Sequence, residues 1–441
     1  MITDKILVNK VSKKEQLGLM VLTIFLFVLF FVRDVREYDI GKMILILPIL
    51  LYTFTTKTEN LYPLLALLMP LSFGLSTGFI FPFIILLLIM RKMGAWQKSV
   101  VFAGFFVVYE VIHYSFYSAG IPRFEPATVL ALGYNIFFVA YFLNCDKLWF
   151  DKDRFLLFFC IGTSIFIICV LGHSIHNFGL MGVFSGYYRL GSEGIGEEVE
   201  YTGLVYFRAN ANTMAYYSVT CISLLVILLK RKTINFVLAI ILFVIFVFGG
   251  LTTLSRTWAL SLFLLAFLYI LTLKRHRIRG IALLLLFSIM VLFILMQFDA
   301  IYSAFADRFN NDTLETGGSR TIIFEAYNDY LMSNHDALLF GVGVMHHNLV
   351  CMVDSTAHST HNSLQQLVVS YGLIGAVIFL FSFFWCIFKL YHKGRENSMY
   401  LLPLVLVLFF LQTIQLFYPV ALMLPLIPAA VVVSMATKKL K

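Results

Sequence analysis

Charge is what this sequence has least of. Only 13% of its 441 residues are Asp, Glu, Lys or Arg, about half the share that soluble domains carry, and that argues against an ordinary water-soluble enzyme. Cysteine is sparse as well: the six are scattered, with no CxxC and no paired spacing, so neither a disulfide framework nor a zinc site is specified. Cys160, Cys169, Cys221 and Cys386 fall inside apolar runs, where small polarizable packing residues belong. HExxH does not occur. No small-residue cleavage site follows the first apolar run, since Phe31-Val32-Arg33-Asp34 is unsuitable, so that run reads as a retained first span. The two halves show no internal repeat of the kind many transporters carry.

What is abundant is apolar. The chain is 60% hydrophobic, with a mean hydropathy of +0.89. Its apolar runs of roughly 14 to 25 residues, separated by short basic clusters, predict an all-α, polytopic integral membrane bundle of about 12–14 spans. Residues 1–297 hold eleven of these spans and an external loop over 173–207; 298–361 form a large external loop; 362–441 hold the C-terminal spans, the last two near 398–417 and 419–437. The net charge of +9 is a topology signal rather than a sign of nucleic-acid binding. With the N-terminus inside, 24 of the 33 lysines and arginines face the cytoplasm, from Lys5 to Lys14 through to Lys438 to Lys441. The positive-inside rule therefore places both termini in the cytoplasm.

Polar groups inside such runs need a reason. Glu110 and His113 are three residues apart on one helix face, and serve either as a proton relay or as a pair locking two helices. Asp151-Lys152-Asp153 has the DxD pattern of metal and nucleotide-sugar sites, but also suits a charged turn between spans. In the large loop, Ser319 is a natural N-cap for a helix on which Ile323, Ala326, Tyr327, Tyr330 and Leu331 recur at helical spacing. That helix is expected to lie amphipathically on or near the outer membrane surface.

The informative pattern is a set of polar helix starts on the external side. Arg208, Arg256 and Arg320 each stand at or just before a predicted helix, and His361 stands at a fourth. Helix N-termini present free N–H groups and partial positive charge, and a guanidinium added there, with hydroxyls such as Thr252, Thr253 and Ser255, suits a phosphate or diphosphate. Arginine costs about 2.5–3.5 kcal/mol at a span's centre and less near the interface, so three on this side imply an anionic ligand; snorkelling to solvent, or pairing with Glu193 or Glu325, is the plainer account. His361, with an imidazole that titrates near neutrality, reads as a general base, or as a capping histidine. His346, His347, His358 and His361 are alternatively metal ligands, although no second ligand pair with clear spacing accompanies them.

Read from His361, the chain runs His-Asn, nine residues, then Gly372-Leu373-Ile374-Gly375. This resembles the His-[Asn/Ser/Gln]-x9-Gly-x-x-[Gly/Thr/Tyr] motif of the bacterial O-antigen ligase and Wzy-type polysaccharide polymerase superfamily. Arg256-Thr257-Trp258-Ala259-Leu260 is similar to that family's Arg-x3-Leu motif, and Asn210-Ala211-Asn212-Thr213-Met214-Ala215 to its Asn-Pro-Asn-x-x-Ala span start, with Ala211 in place of proline. Arg320-Thr321-Ile322-Ile323-Phe324 and Phe340-Gly341-Val342-Gly343 resemble the arginine-led helix of the big loop and the turn after it. The resemblance covers about residues 203–376. It implies inverting, metal-independent and cofactor-free glycosyl transfer at the external face of the bacterial cytoplasmic membrane. The donor would be an undecaprenyl-diphosphate-linked glycan held by Arg256, Arg208 (or Arg189) and Arg320. His361 would deprotonate the acceptor, supported by His358, Asn362 and Ser255. The implied product is O-antigen or capsular polysaccharide, with a flippase and a chain-length regulator as partners. Polymerase is favoured over ligation to lipid A–core by analogy only, and a lipid-linked sugar flippase is the reading from another class.

Overall fold

The computed structural model describes residues 13–72, 84, 87, 96–117, 126–145, 148, 150–184, 211–272, 320–344, 352–353, 356–357, 360–392, 398–414 and 423–436. Among the described residues these helices precede the large loop: α1 (Lys13–Asp34), α2 (Lys42–Thr55), α3 (Thr58–Leu71), α4 (Trp96–Tyr117), α5 (Pro126–Leu143), α6 (Lys152–Phe184), α7 (Ala211–Lys230), α8 (Phe236–Leu251) and α9 (Arg256–Thr272). Within the loop lie α10 (Arg320–Ser333), α11 (His335–Phe340) and a two-residue antiparallel ladder of β1 (Met352–Val353) and β2 (Thr356–Ala357). There follow α12 (Ser363–His392), a 3₁₀ turn (Ser398–Leu401), α13 (Leu402–Leu411) and α14 (Leu426–Met435).

The architecture is therefore helical, as the apolar runs predict. Among the described residues four helices are long and apolar enough to cross a membrane: Leu17–Asp34, Lys152–Leu180, Ala211–Lys230 and Ser363–Lys389. Six shorter apolar helices accompany them. Such runs satisfy their backbone N–H and C=O groups within the helix, which is what hydrocarbon demands. The helices share one interior. Tyr62 of α3 is hydrogen-bonded to Tyr141 of α5 at 2.9 Å, and Tyr217 of α7 stacks on Phe159 of α6. Large apolar side chains face outward on α1, α4, α8, α9 and α12, among them Ile24, Val101, Phe236, Leu260 and Phe381. An outer surface of that kind marks contact with lipid or with another protein.

Three expectations change. Helix α6 runs on to Phe184, past His173 where an external loop was expected to begin; it turns at Gly179, whose φ of 70° interrupts the helix. The last two helices, α13 and α14, are each 10 residues long, shorter than the spans expected over 398–417 and 419–437. The helix from Arg320 is present, but the apolar residues that mark its expected face are covered by protein, while Ile322, Phe324 and Met332 stay exposed. Ile323, Tyr327 and Leu331 are buried against Ala337 of α11, Val342 and Val369 of α12.

Candidate functional site

His361 sits at φ 47°, in the left-handed region, immediately before α12. A non-glycine residue there is uncommon, although histidine is enriched several-fold, and such strain costs about 1–3 kcal/mol. The turn is held by its neighbours. Asn362 is the N-cap: its side-chain oxygen accepts from the Leu364 and Gln365 N–H groups, both at 3.0 Å. Its amide donates to the Gln412 carbonyl at 3.3 Å, and the Ser363 hydroxyl donates to the Ile414 carbonyl at 2.7 Å. The start of α12 is thus pinned to the end of α13. The capping role falls to Asn362, and His361 beside it is half-buried.

On the other side, the Gln365 amide donates to the Phe324 carbonyl at 2.8 Å and to Asn328 Oδ1 at 3.2 Å. Helix α10 is thereby fixed about one and two turns after its start at Arg320, to a residue about one turn from His361. Gln365 carries no motif signal; only the fold reveals it as the joint between the loop helix and the histidine.

Arg256 occupies the first position of α9, one residue after Ser255 and two after Leu254, which is at φ 48°. Ser255 caps the helix, its Oγ accepting from the Trp258 N–H at 3.4 Å. Trp258 donates its indole N–H to Ser218 of α7 at 3.0 Å, and Ser218 donates to the Phe246 carbonyl of α8 at 2.6 Å. Near the same end of α7, Tyr216 stacks on Phe410 of α13, with ring centroids 5.2 Å apart. Phe410 lies two residues before Gln412, the partner of Asn362. This relay brings the starts of α7, α9, α10 and α12 to one end of the bundle. Arg256 is half-buried there, with no hydrogen bond or ion pair to any described residue. By contrast Arg33 is held by Asp34, Arg154 by Asn60 and Arg231 by Asp153.

The hydroxyls expected to join Arg256 on a phosphate are engaged locally. Thr252 donates to the Phe248 and Gly249 carbonyls, and Thr253 donates to the Gly250 carbonyl at 2.6 Å while accepting from Ser255 N–H. Both cap the end of α8, a common use of threonine at helix termini. Ser255 keeps a supporting role as the N-cap of the arginine-bearing helix.

Two glycine motifs interlock beside the histidine. Gly372 has φ 64° and ψ −179°, which bends α12. The bend exposes the Val369 and Ser370 carbonyls, which an unbroken helix would give to amides four residues on. They accept instead from Val342 N–H and Gly343 N–H, both at 2.8 Å. Gly341 lies face to face with Gly372, so that a Cβ on either would meet backbone atoms of the other strand of chain within about 2.5 Å. From α4, the Tyr109 hydroxyl donates to the Phe340 carbonyl and, at 3.2 Å, to that of Tyr371. Glu110, buried, accepts from Val344 N–H at 2.9 Å, and Tyr371 lies beside its carboxylate. Glu110 therefore ties α4 to the turn at Val344.

The DxD residues are occupied too. Asp151 caps α6, accepting from Arg154 N–H at 3.1 Å. Asp153 takes a two-point bond from Arg231, at 2.5 and 2.8 Å, and this pairing pushes the Arg231 guanidinium further above its already high pKa. Of the four cysteines placed in apolar runs, Cys160, Cys169 and Cys221 are buried and Cys386 is half-buried.

Arg208, Arg189, His346, His347, His358, Ser319, the Glu193–Glu200 cluster, the predicted span near 280–297 and all but Ile84 and Leu87 of that near 77–90 lie outside the described residues. The same holds for the Arg320 side chain, whose backbone opens α10. The chain matches no family model, no curated protein and no solved structure.

Proposed function

We propose that this chain is a polytopic glycosyltransferase of the bacterial cytoplasmic membrane that polymerises undecaprenyl-diphosphate-linked oligosaccharide units. On this reading both termini are cytoplasmic, about 12–14 helices span the bilayer, and the reaction takes place at the external face. The observation that carries the proposal is the gathering at one end of the bundle of His361, the start of α10 at Arg320, and an Arg256 that no described acid neutralises. A buried or interfacial guanidinium without a counter-ion is costly, and a phosphate ligand repays that cost.

In the proposed reaction His361 takes the proton from an acceptor sugar hydroxyl. The hydroxyl oxygen bonds to the anomeric carbon of the donor, from the face opposite the leaving group. The bond from that carbon to the diphosphate oxygen breaks with inversion, and the electron pair leaves on the lipid diphosphate. Arg256, with Arg208 and Arg320, would hold the diphosphate and offset its growing charge, at about 2.7–4 kcal/mol for each well-placed donor. General-base action by the imidazole adds roughly 10²–10⁴ in rate. The lipid tail would keep the donor at the bilayer surface, and a tethered acceptor raises the effective concentration of its partner.

The test is genetic. A host carrying His361→Ala, with the protein present at its normal level, is expected to lose long glycan chains while single lipid-linked units accumulate. A normal ladder of chain lengths in that strain would remove His361 as the base. Loss of glycan from lipid A–core with polymer still made on the lipid carrier would assign the chain as a ligase instead.

A further inference from the structure

Towards the end of α12 opposite His361, beyond the bend at Gly372, the described residues line a cavity of about 250 Å³ between α4, α5, α12 and α14. Helices α4 and α12 run antiparallel here: Tyr109 meets Tyr371 near one end, and Phe102 meets Phe379 towards the other. The walls are apolar, with Phe102, Val139, Phe379 and Phe383 among them, while Lys98 and Lys389 stand at the mouth. Among the described residues no acidic side chain lines the cavity. Both lysines are exposed, and neither has an ion pair with any described residue.

A second observation points inward. Ser99 lines the same cavity, is only 1% exposed, and its hydroxyl finds no hydrogen-bond partner among the described residues. A buried hydroxyl left unpaired costs about 1–3 kcal/mol, so a polar group of a ligand belongs beside it. Trp385, exposed at the rim, supplies the amphipathic ring found at membrane–water boundaries.

We infer that this cavity binds one anionic glycerophospholipid from the leaflet on the lysine side. Its phosphodiester would sit between Lys98 and Lys389, an ester or glycerol oxygen would meet Ser99, and the end of one acyl chain would lie among the phenylalanines. The volume is below the range of about 300–1,000 Å³ typical of whole-ligand pockets, which suits part of one chain rather than an entire lipid. The two lysines select negative charge, and the apolar wall selects a chain, so a free phosphate satisfies only half of the site. The inference uses the membrane reading of the fold but not the transfer reaction, since the cavity lies at the far end of the molecule from His361.

The experiment is native mass spectrometry of the purified full-length protein from nanodiscs containing equal amounts of phosphatidylglycerol and phosphatidylcholine with identical acyl chains. The wild type is expected to retain one phosphatidylglycerol with roughly tenfold to thirtyfold preference, the size expected of two interfacial lysines. The double variant Lys98→Ala/Lys389→Ala should lose the preference, and Ser99→Leu, which fills the cavity while leaving both charges, should lose the retained lipid. Lys232→Gln, which removes an exposed lysine away from the cavity, should change neither. Equal retention of the two lipids by the wild type would overturn the proposal. So would an equal loss in Lys232→Gln, which would trace the preference to bulk surface charge. Displacement of the phosphatidylglycerol by equimolar undecaprenyl phosphate would also overturn it, by naming the carrier lipid as the occupant.

Discussion

Replacing Gly372 with alanine tests the joint on which the geometry of the histidine rests. An added Cβ would lie 2.2 Å from the Leu339 carbonyl oxygen, 2.3 Å from its carbon and 2.4 Å from the Phe340 nitrogen. All three are backbone atoms and cannot rotate aside. The conformation itself, φ 64° with ψ −179°, is one that only glycine enters freely, and it costs other residues about 1–3 kcal/mol. Relieving the clash means separating α11 and its turn from α12. That forfeits the bonds from Val342 N–H to the Val369 carbonyl and from Gly343 N–H to the Ser370 carbonyl, about 0.5–1.5 kcal/mol each. The total is about 2–6 kcal/mol before any steric term. Gly104→Ala is the matched control. Nothing lies within 4 Å of its added Cβ, and alanine within a helix gains about 0.5–1 kcal/mol over glycine. In thermal unfolding of the purified proteins in one detergent, followed by size-exclusion chromatography, Gly372→Ala should melt several degrees below the wild type and Gly104→Ala at or above it. Gly341→Ala/Gly372→Ala should cost less than the sum of the single changes, because both occupy one contact. A Gly372→Ala protein that melts with the wild type and still builds full-length chains would refute the interlocked-glycine reasoning.

Other expectations concern side chains. Arg256→Lys should lower transfer by roughly 10²–10³, because a point charge cannot reproduce a forked bond to phosphate; kinetics with lipid-linked donor checks this, and near-normal turnover would remove Arg256 from the diphosphate. Glu110→Ala strands Val344 N–H in a buried site and should cost about 1–3 kcal/mol, whereas Glu110→Gln keeps an acceptor and should melt closer to the wild type. Asp153→Asn breaks the half-buried pair with Arg231 and should cost about 1–2 kcal/mol while leaving transfer and its resistance to EDTA intact; loss of activity with unchanged melting would restore the DxD reading.

Some of this was legible in the residues. The run after His361 predicts a helix start, and Asn362 caps it; the bend at Gly372, where another segment crosses the helix, was not expected from the sequence. The spacing of Ile323, Tyr327 and Leu331 predicts a helix with one apolar face, and that helix is present. Periodicity tells which face is apolar but not what covers it, so membrane and α12 were equally consistent with the pattern. The bond between Glu110 and Val344 joins residues 234 apart in the chain, a separation no local pattern encodes. Thr252 and Thr253 misled for the opposite reason: hydroxyls next to a helix end bond their own backbone first, and their presence near an arginine says nothing about a ligand.

The account turns on whether His361 and the cationic helix starts move a saccharide from lipid diphosphate to a hydroxyl. The direct measurement is a reaction of purified wild-type and His361→Ala protein with a lipid-linked repeat unit in detergent, with EDTA present and no ion gradient. The wild type should yield a ladder of longer lipid-linked chains and one free undecaprenyl diphosphate for each bond made, and His361→Ala should yield neither at comparable times. Equal ladders from both proteins, or a wild type active only when a divalent ion is restored, would contradict it.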